Sequence, residues 1–305
     1  MKKIFCCAKN SMVFWHLCVF VLLCIGCCNG LVNLPPNTTV PAIFAFGDSI
    51  VDQGNNNGIS TLVRCNFPPY GKDFRDGIPT GRFGNGKTPP DLIAEELGIK
   101  ELIPAYLDPN LKPQDLLTGV SFASGGSGFD PQTPQLASVT PLSTQLEQFK
   151  EYIVKLKELY KLGPRRIGVF GIPPIGCLPA QRSLAGGSGR MCVEEYNKAA
   201  ILVNSKLSPT LDSLTATLPQ SRIVYIDIYN PLLNLIQYPQ NYGFEVSDRG
   251  CCGTGNVEVV ILCNRYSGTC GDDSKYVFWD SYHPTEKAYK VLVDQVLLKY
   301  LDKFV

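Results

Sequence analysis

Four short apolar runs, each followed by glycine, serine, aspartate or proline, constrain the fold of this chain more than any other feature. They are Ile43 to Phe46, Val120 to Ala123, Ile167 to Phe170 and Ile223 to Ile228. Short runs without polar alternation are typical of strands that are buried on both faces of a parallel sheet. Enzymes with such sheets place their sites beyond the carboxyl ends of the strands. The runs therefore predict a parallel sheet with a site at one edge.

Helical patterns lie between these runs. In residues 141–162, apolar residues recur every three or four positions with Lys and Glu on the other face, and residues 193–214 and 285–301 show the same pattern. Strands that alternate with helices predict an α/β fold with helices on both faces of the sheet. The stretch 53–90 is rich in Gly, Asn and Pro and predicts a long loop. No repeat or linker divides residues 31–305, so we expect one domain.

Residues 1–30 have the layout of a secretory signal peptide. Three lysines precede an apolar run from Met12 to Ile25, and small or polar residues follow it. A retained membrane anchor is the alternative, but His16 interrupts the run and the small residues after it favour cleavage. We therefore expect a secreted, extracellular protein with no stable membrane span after cleavage. Asn37 begins an N-glycosylation sequon in a segment that we expect at the surface.

Charge and cysteine content exclude two classes of function. Removing residues 1–30 takes away three Lys and no acidic residue, so the formal charge changes from +1 to −2 and nothing indicates nucleic-acid binding. Seven of the thirteen cysteines remain, and their expected use in an oxidising compartment is in disulfides. A single remaining histidine and the lack of a CxxC pair argue against a zinc site.

Disulfide pairing can be predicted for two of the seven cysteines. Cys177 and Cys192 flank the flexible sequence GGSG at residues 186–189, so we expect them to be joined. Closing a loop of this length contributes roughly 3 kcal/mol. Cys65 is the expected free thiol. The pattern leaves the pairing open among the remaining four, Cys251, Cys252, Cys263 and Cys270.

His283 is the only histidine of residues 31–305, so any step that needs a histidine base has one candidate. It lies in the sequence WDSYHPT, residues 279–285. Asp280, three residues earlier on a turn that Pro284 helps to fix, can hold the imidazole in one tautomer and stabilise its protonated form. On spacing alone, Asp-x-x-His is more typical of a surface pair. The hypothesis therefore needs a matching nucleophile.

Ser49 is the candidate nucleophile. It ends the sequence FGDS at residues 46–49, which is followed by DQGNNN at residues 52–57. A serine just past the carboxyl end of a buried strand can present its hydroxyl to a crevice, as acyl transfer requires. An isolated Gly-Asp-Ser is also typical of a helix cap in a tight turn. The Gly-x-Ser-x-Gly elbow of α/β-hydrolases is absent.

A glycine-rich segment, SFASGGSG at residues 121–128, follows the second apolar run. Its backbone N–H groups could stabilise a developing oxyanion. A flexible glycine turn and a phosphate loop are the alternatives. The segment has neither the Walker Lys-Ser/Thr nor the dinucleotide glycine spacing, so nucleotide binding is not favoured.

Five motifs occur in order along the chain. They are FGDS with DQGNNN (46–57), FASGGSG (122–128), GVFGIPPIGC (168–177), GCCG (250–253) and FWDSYHPT (278–285). Together they resemble plant GDSL esterase/lipases of the SGNH hydrolase superfamily, in the manner of extracellular pollen-coat lipases. The resemblance covers nearly all of residues 40–305. It implies a three-layer, flavodoxin-like α/β fold and hydrolysis of small esters, acylglycerols or other lipids, with no metal or organic cofactor.

The resemblance also implies roles for single residues. Ser49 is the expected nucleophile, His283 its base, and Asp280 the partner that orients His283. The backbone N–H groups of Ser49 and Gly126 are the expected oxyanion donors. Of the two adjacent glycines, Gly126 rather than Gly125 is aligned with the glycine that has this role in the family.

One block of this family is absent. A Gly-x-Asn-Asp strand, whose Asn side chain supplies another oxyanion donor, is expected between Gly126 and Ile167, and no such tetrapeptide occurs in the chain. We therefore expect the sheet to lack one central strand. Either the neighbouring strands pair directly, which shifts half of the sheet by roughly 4.8 Å, or a gap leaves unpaired backbone groups on both edges.

A catalytically dead remnant that binds a lipid or wall polymer is the alternative function.

Overall fold

The computed structural model describes residues 39–157, 166–218, 221–253 and 263–304. Its α-helices are α1 (Pro89–Glu96), α2 (Pro113–Leu116), α3 (Gln132–Ala137), α4 (Leu142–Lys157), α5 (Pro179–Ala185), α6 (Glu194–Thr217), α7 (Tyr229–Gln237) and α8 (Glu286–Tyr300). Its strands are β1 (Arg166–Phe170), β2 (Arg222–Ile226), β3 (Val246–Gly250) and β4 (Tyr276–Phe278). Short 3-10 helices cover Asn55–Gly58, Ile175–Cys177, Pro239–Tyr242, Asp273–Lys275 and Leu301–Lys303. The predicted signal peptide and Asn37 lie outside the described residues.

The helices predicted over 141–162, 193–214 and 285–301 correspond to α4, α6 and α8. Helix α8 begins where the sequence predicts, because the Thr285 hydroxyl accepts a hydrogen bond from the Ala288 backbone N–H at 3.2 Å and so caps the first turn. The predicted loop 53–90 has no regular structure apart from the 3-10 helix Asn55–Gly58 and the first residues of α1.

The third and fourth apolar runs form a pair of parallel strands. β1 and β2 are in register from Arg166 opposite Arg222 to Phe170 opposite Ile226. The fourth run was predicted to reach Ile228, but β2 ends two residues earlier because the chain turns there into α7. Helix α6 lies against β2, and α8 packs on its other side through Val296.

The first and second runs also lie side by side and parallel. The Ala45 N–H donates to the Val120 carbonyl at 3.2 Å, and the Phe122 N–H donates to the Ala45 carbonyl at 2.8 Å. Ser121 bridges Ala45 on one side and Ala105 on the other. Helix α4 covers this segment with the buried side chains of Phe149 and Tyr152. Each run is therefore strand-like, although the ladder is too short to continue beyond single bridges.

These two parallel units do not join into the single sheet that the sequence analysis expected. Within the described residues β1 pairs with β2 alone, and no hydrogen bond joins the backbone of Phe44 or Phe46 to a described residue. Of the two outcomes expected for a missing central strand, the structure corresponds to the gap. The physical reason is that the Gly-x-Asn-Asp strand would supply the partner for both edges.

Apolar side chains are exposed along the two edges of this gap. Phe46 is 40% exposed on the first run, and on β1 Ile167 and Phe170 are 38% and 39% exposed. Central strands of a covered parallel sheet are normally buried on both faces. Among the described residues no strand covers these side chains, which agrees with the lack of the Gly-x-Asn-Asp block in the sequence.

A second parallel pair, β3 with β4, was not predicted from the sequence. The two strands have an irregular register between Val246 and Gly250, and β3 contains Asp248 and Arg249. β3 therefore lacks the uniform apolar pattern from which the other strands were predicted, and β4, although apolar, is only three residues long. β4 is nevertheless fully buried at Val277 and Phe278, and it leads directly into the segment that holds Asp280 and His283.

Three disulfides join cysteines within the described residues. Cys177 and Cys192, the pair expected from the sequence, are joined. The four cysteines whose pairing was open form Cys251 to Cys270 and Cys252 to Cys263. Cys65 is a buried free thiol. It packs with three of these disulfide cysteines, Tyr70, Phe83 and Trp279 in one cluster, so the long loop is attached to the disulfide-bonded region.

Restoring the missing block should stabilise the protein. We expect that the corresponding segment of a complete relative, inserted between Lys157 and Arg166, raises the melting temperature, because it provides backbone partners and covers Phe46 and Phe170. It should also raise ester turnover by supplying an Asn donor, and one such donor is typically worth about 10²–10³ in rate. A glycine-serine insert of equal length is the control. Equal melting temperature and turnover in the original and repaired chains would contradict this account of the gap.

Candidate active site

Ser49 lies in a turn beyond the first apolar run. Gly47 precedes it with φ of 142°, a conformation that a side chain rarely permits. A Cβ atom at Gly47 would also lie 3.3 Å from the Val51 side chain. Asp48 then closes the turn, because its carboxylate accepts a hydrogen bond from the Ile50 N–H at 3.0 Å. The glycine of the motif thus allows the sharp turn that leaves the Ser49 side chain half-buried.

Asp280 folds the turn that carries His283. Its Oδ1 accepts hydrogen bonds from the backbone N–H groups of Tyr282 and His283, both at 2.9 Å. The Trp279 N–H donates to the His283 carbonyl at 2.7 Å and closes the same turn. The Asp-x-x-His spacing is therefore a requirement of the turn itself, since the carboxylate reaches its own backbone two and three residues on.

The structure brings together the three side chains that the sequence analysis singled out. The His283 Nδ1 lies 2.8 Å from Oδ1 and 2.9 Å from Oδ2 of Asp280. The His283 Nε2 lies 2.8 Å from the Ser49 Oγ, across 234 residues of sequence. Because the carboxylate accepts the Nδ1 proton, Nε2 carries the lone pair and can accept the proton of the serine hydroxyl. The gap in the sheet has not separated Ser49 from His283.

Burial and charge act in opposite directions on this pair. Burial favours neutral Asp280, but the charge of His283 and the hydrogen bonds that the carboxylate accepts outweigh it and lower the pKa of Asp280. Burial likewise disfavours the charged imidazole, yet Asp280, with a smaller contribution from Asp48, raises the pKa of His283 above 6.5. The site therefore stabilises the imidazolium that proton transfer from a serine would produce.

Gly125 and Gly126 of the glycine-rich segment differ in whether their backbone N–H group already has a partner. The Gly125 N–H donates to the Asp52 carboxylate at 2.8 Å. Gly126 has φ of 83°, and neither its N–H nor that of Ser49 donates to another described residue. Of the two neighbouring glycines, Gly126 is thus the one whose N–H group is not used in holding the loop.

Sequence reasoning missed the polar side chains that hold these loops together. Asp52 is fully buried and also accepts hydrogen bonds from the N–H groups of Gly54 and Asn55, at 2.8 and 2.7 Å. Burial raises the pKa of Asp52 to about 6, against the effect of these backbone donors. Asn56 reaches the Gly125 carbonyl at 2.9 Å. The polar run DQGNNN directly after the serine was the available signal, since polar residues so close to a buried strand need partners.

Gln145 of α4 is a second side chain that the periodicity did not identify. It is fully buried, and its amide oxygen accepts from the Gly47 N–H at 2.9 Å while its amide nitrogen donates to the Gly47 carbonyl at 2.8 Å. Leu146, which is one of the apolar residues that recur in the predicted helix over 141–162, is instead 49% exposed. A polar residue lies on this face because the backbone N–H and carbonyl of Gly47, two residues before Ser49, both need hydrogen-bond partners.

Neither a metal cluster nor a membrane-spanning helix is found in the part of the chain that the structure describes. No three His, Cys, Asp or Glu side chains of these residues are grouped so that they could hold a metal ion. No helix among them is both long and apolar enough to cross a bilayer.

Comparison with known proteins identifies the family. A sequence model of the GDSL-like lipase/acylhydrolase family matches residues 43–161 and 136–296. The chain is 49% identical to GDSL esterase/lipase EXL3 of Arabidopsis thaliana over 349 positions, which covers 95% of this chain and 96% of EXL3. It is 44% identical to GDSL esterase/lipase EXL2 of the same plant over 369 positions, covering 97% and 96%. The chain belongs to the plant GDSL esterase/lipase family and is a carboxylic ester hydrolase.

The alignment lengths bear on the missing block. Because 95% of the 305 residues is about 290, about 59 of the 349 positions aligned with EXL3 have no counterpart in this chain. The family match is also divided into two pieces that meet within residues 136–161. Both observations agree with a deletion between Gly126 and Ile167, where the structure has its gap.

The pH dependence of ester turnover should follow His283. A histidine base is active only when neutral, and since the pKa of His283 is raised, kcat/KM should increase with pH through a midpoint above 6.5. In Asp280→Asn the charge that raises this pKa is lost, so the midpoint of the residual activity should move to lower pH. A profile that is flat across this range in the original chain would show that no group with a raised histidine pKa controls turnover.

Proposed function

We propose that this chain is a secreted serine hydrolase in which Ser49, His283 and Asp280 act as a catalytic triad. The observation that carries the proposal is the continuous line of hydrogen bonds from the Ser49 Oγ through the imidazole to the Asp280 carboxylate. All three residues lie in the motifs that characterise the family. Small esters and acylglycerols or other lipids are the proposed substrates.

The geometry supports a two-step reaction through an acyl-enzyme. The Ser49 Oγ attacks the ester carbonyl carbon while the His283 Nε2 takes its proton, and the N–H groups of Ser49 and Gly126 stabilise the oxyanion. His283 then gives the proton to the departing alcohol. Water next attacks the acyl-enzyme with His283 again as base, which releases the carboxylic acid and restores Ser49. Asp280 keeps the imidazole in the required tautomer throughout and stays ionised.

The absence of the Gly-x-Asn-Asp block affects the rate rather than the reaction. Two backbone donors remain for the oxyanion, and the Asn side chain that would be a third is missing from the sequence. Loss of one donor typically costs about 10²–10³ in rate. We therefore propose a slower enzyme than its complete relatives.

A catalytically dead protein that binds lipid or a wall polymer is the second candidate. The observation that favours it is the row of exposed apolar side chains along the gap, which includes Phe46 and Phe170. Such a surface could contact an apolar ligand without any chemistry. Covalent reactivity of Ser49 separates the two candidates.

Substitution of Ser49 or His283 by Ala should reduce ester hydrolysis to near background, and a serine-directed fluorophosphonate should label the original chain but not Ser49→Ala. Ser205→Ala is the matched control, because Ser205 is exposed on α6.

Asp280→Asn should fold and turn over roughly 10⁴-fold more slowly. Retained activity in His283→Ala would refute the mechanism, and a folded chain that resists labelling would favour the dead remnant.

Secretion forms part of the same proposal. Residues 1–30 are proposed to be removed as a signal peptide, residues 31–305 to form a single domain in the plant cell wall or pollen coat, and Asn37 to carry a glycan. Expression of the full chain in plant cells should yield medium-borne protein whose N-terminus lies near residue 31. Its mass should fall on glycosidase treatment, and Asn37→Gln should abolish that change. Retention of residues 1–30 in a membrane fraction would contradict the proposal.

A further inference from the structure

A fourth side chain contacts the line formed by Ser49, His283 and Asp280. The Tyr70 hydroxyl donates a hydrogen bond to the Asp280 Oδ2 at 2.9 Å, although 210 residues separate the two in sequence. Tyr70 is 3% exposed and Asp280 is 4% exposed, so water does not compete for this contact. The contact is made to Oδ2, whereas the turn is held by hydrogen bonds to Oδ1.

The two carboxylate oxygens of Asp280 have different partners. Oδ1 accepts from the backbone N–H groups of Tyr282 and His283 in addition to the imidazole. Oδ2 is shared between the imidazole and Tyr70 alone among the described residues. Removal of the Tyr70 hydroxyl therefore leaves Oδ2 with no donor besides the imidazole, while Oδ1 keeps its backbone donors.

The position of Tyr70 is fixed by packing. Its ring lies edge-on to Phe67 and to Trp279, with centroids 5.6 and 6.3 Å away. It belongs to the buried cluster that also contains Cys65 and the cysteines of two disulfides. Next to it, the Gly71 N–H donates to the Gly84 carbonyl at 2.9 Å, which holds this part of the long loop. The hydroxyl is thus presented by a rigid support.

We propose that Tyr70 is a positioning residue for ester hydrolysis, which orients the Asp280 carboxylate and limits the negative charge that it presents to His283. The inference rests on the proposed triad. With its hydroxyl in place, each oxygen of the carboxylate has a donor in addition to the imidazole. Tyr70 itself touches neither the substrate nor the reacting atoms.

Several titratable groups surround Asp280 and His283, and Tyr70 is the one whose neutral hydroxyl donates to the Asp280 carboxylate. Burial, followed by the charge of Asp280, raises the pKa of Tyr70 well above 10, so its hydroxyl stays protonated. Cys65, Tyr282 and Tyr289 also face Asp280, and each has a raised pKa. Two further carboxylates affect these groups: the charge of Asp48 raises the pKa of His283, and the charge of Asp52 raises the pKa of Cys65. Because the pKa of Asp52 is about 6, its titration would overlap with that of His283 in a plot of reaction rate against pH.

A direct titration of His283 avoids this overlap. Because His283 is the only histidine of residues 31–305, NMR of the imidazole in the secreted protein follows one group. We expect Tyr70→Phe to raise the pKa of His283, since the carboxylate loses a donor that disperses its charge. We also expect kcat to fall by about 10-fold with KM unchanged, by analogy with the low end of the effect of groups that orient a metal-bound histidine.

Tyr152→Phe is the matched control. Tyr152 is equally buried, and its hydroxyl donates to the Leu116 carbonyl rather than to a residue of the proposed triad. The proposal expects this variant to keep the original kcat and the original pKa of His283, whatever it does to the melting temperature. Equal kinetic losses in both variants would mean that Tyr70 contributes only to stability, which would overturn the proposal.

The remaining outcomes are also decisive. If Tyr70→Phe leaves both kcat and the pKa of His283 unchanged, the role of Tyr70 is refuted. Fluorophosphonate labelling of Ser49 in the same experiment would still support the triad. If the original chain is folded but inert, the triad proposal fails, and the NMR titration still tests the contact. If Tyr70→Phe does not fold, the test uses the original chain, in which the NMR chemical shift of the Tyr70 hydroxyl proton is followed against pH. The proposal requires that this chemical shift change with the same midpoint as the His283 imidazole. A change with another midpoint refutes the proposal.

Discussion

The buried carboxylate of Asp280 is the interaction on which the arrangement of this site depends. An isolated buried charge costs several kcal/mol, so it persists only where hydrogen bonds and an opposite charge offset that cost. Asp280 obtains its partners from its own turn, from His283 and from Tyr70. One group thereby fixes the conformation of the turn, the tautomer of the imidazole and the position of the long loop. Removal of any one partner affects the other two.

The sequence allowed the residues of the site to be predicted where short-range geometry determines their position. Ser49 follows a buried strand through a glycine turn, and Asp280 reaches His283 within a single turn. Tyr70 and Gln145 could not be found in this way, because their contacts join segments that are 210 and 98 residues apart. Nothing in their local sequence distinguishes them from a core tyrosine or a surface glutamine.

The fold shows the same division between local and long-range determinants. Apolar runs and apolar periodicity predicted α4, α6 and α8 and the strands β1 and β2, because the signal for each of them lies within one short segment of the sequence. β3 and β4 were missed since they form a short, irregular ladder with charged residues in it. The pairing of Cys251 with Cys270 and of Cys252 with Cys263 depends on how the loop between them folds, and spacing does not determine that.

The gap in the sheet poses the question of what keeps Ser49 beside His283, since no continuous sheet joins their segments within the described residues. The long loop and α1 take over this task. The Glu286 N–H, in the first turn of α8, donates to Asn85, and the Glu286 carboxylate accepts the Lys87 N–H, both at 2.9 Å. Gly86 lies between them, where a Cβ atom would approach the Glu286 Oε2 to 1.7 Å. Apolar packing of α1 on α8 adds to these contacts. The two halves of the site are therefore joined through side chains and loops, which explains how an open strand edge and a closed Ser-His contact coexist in one chain.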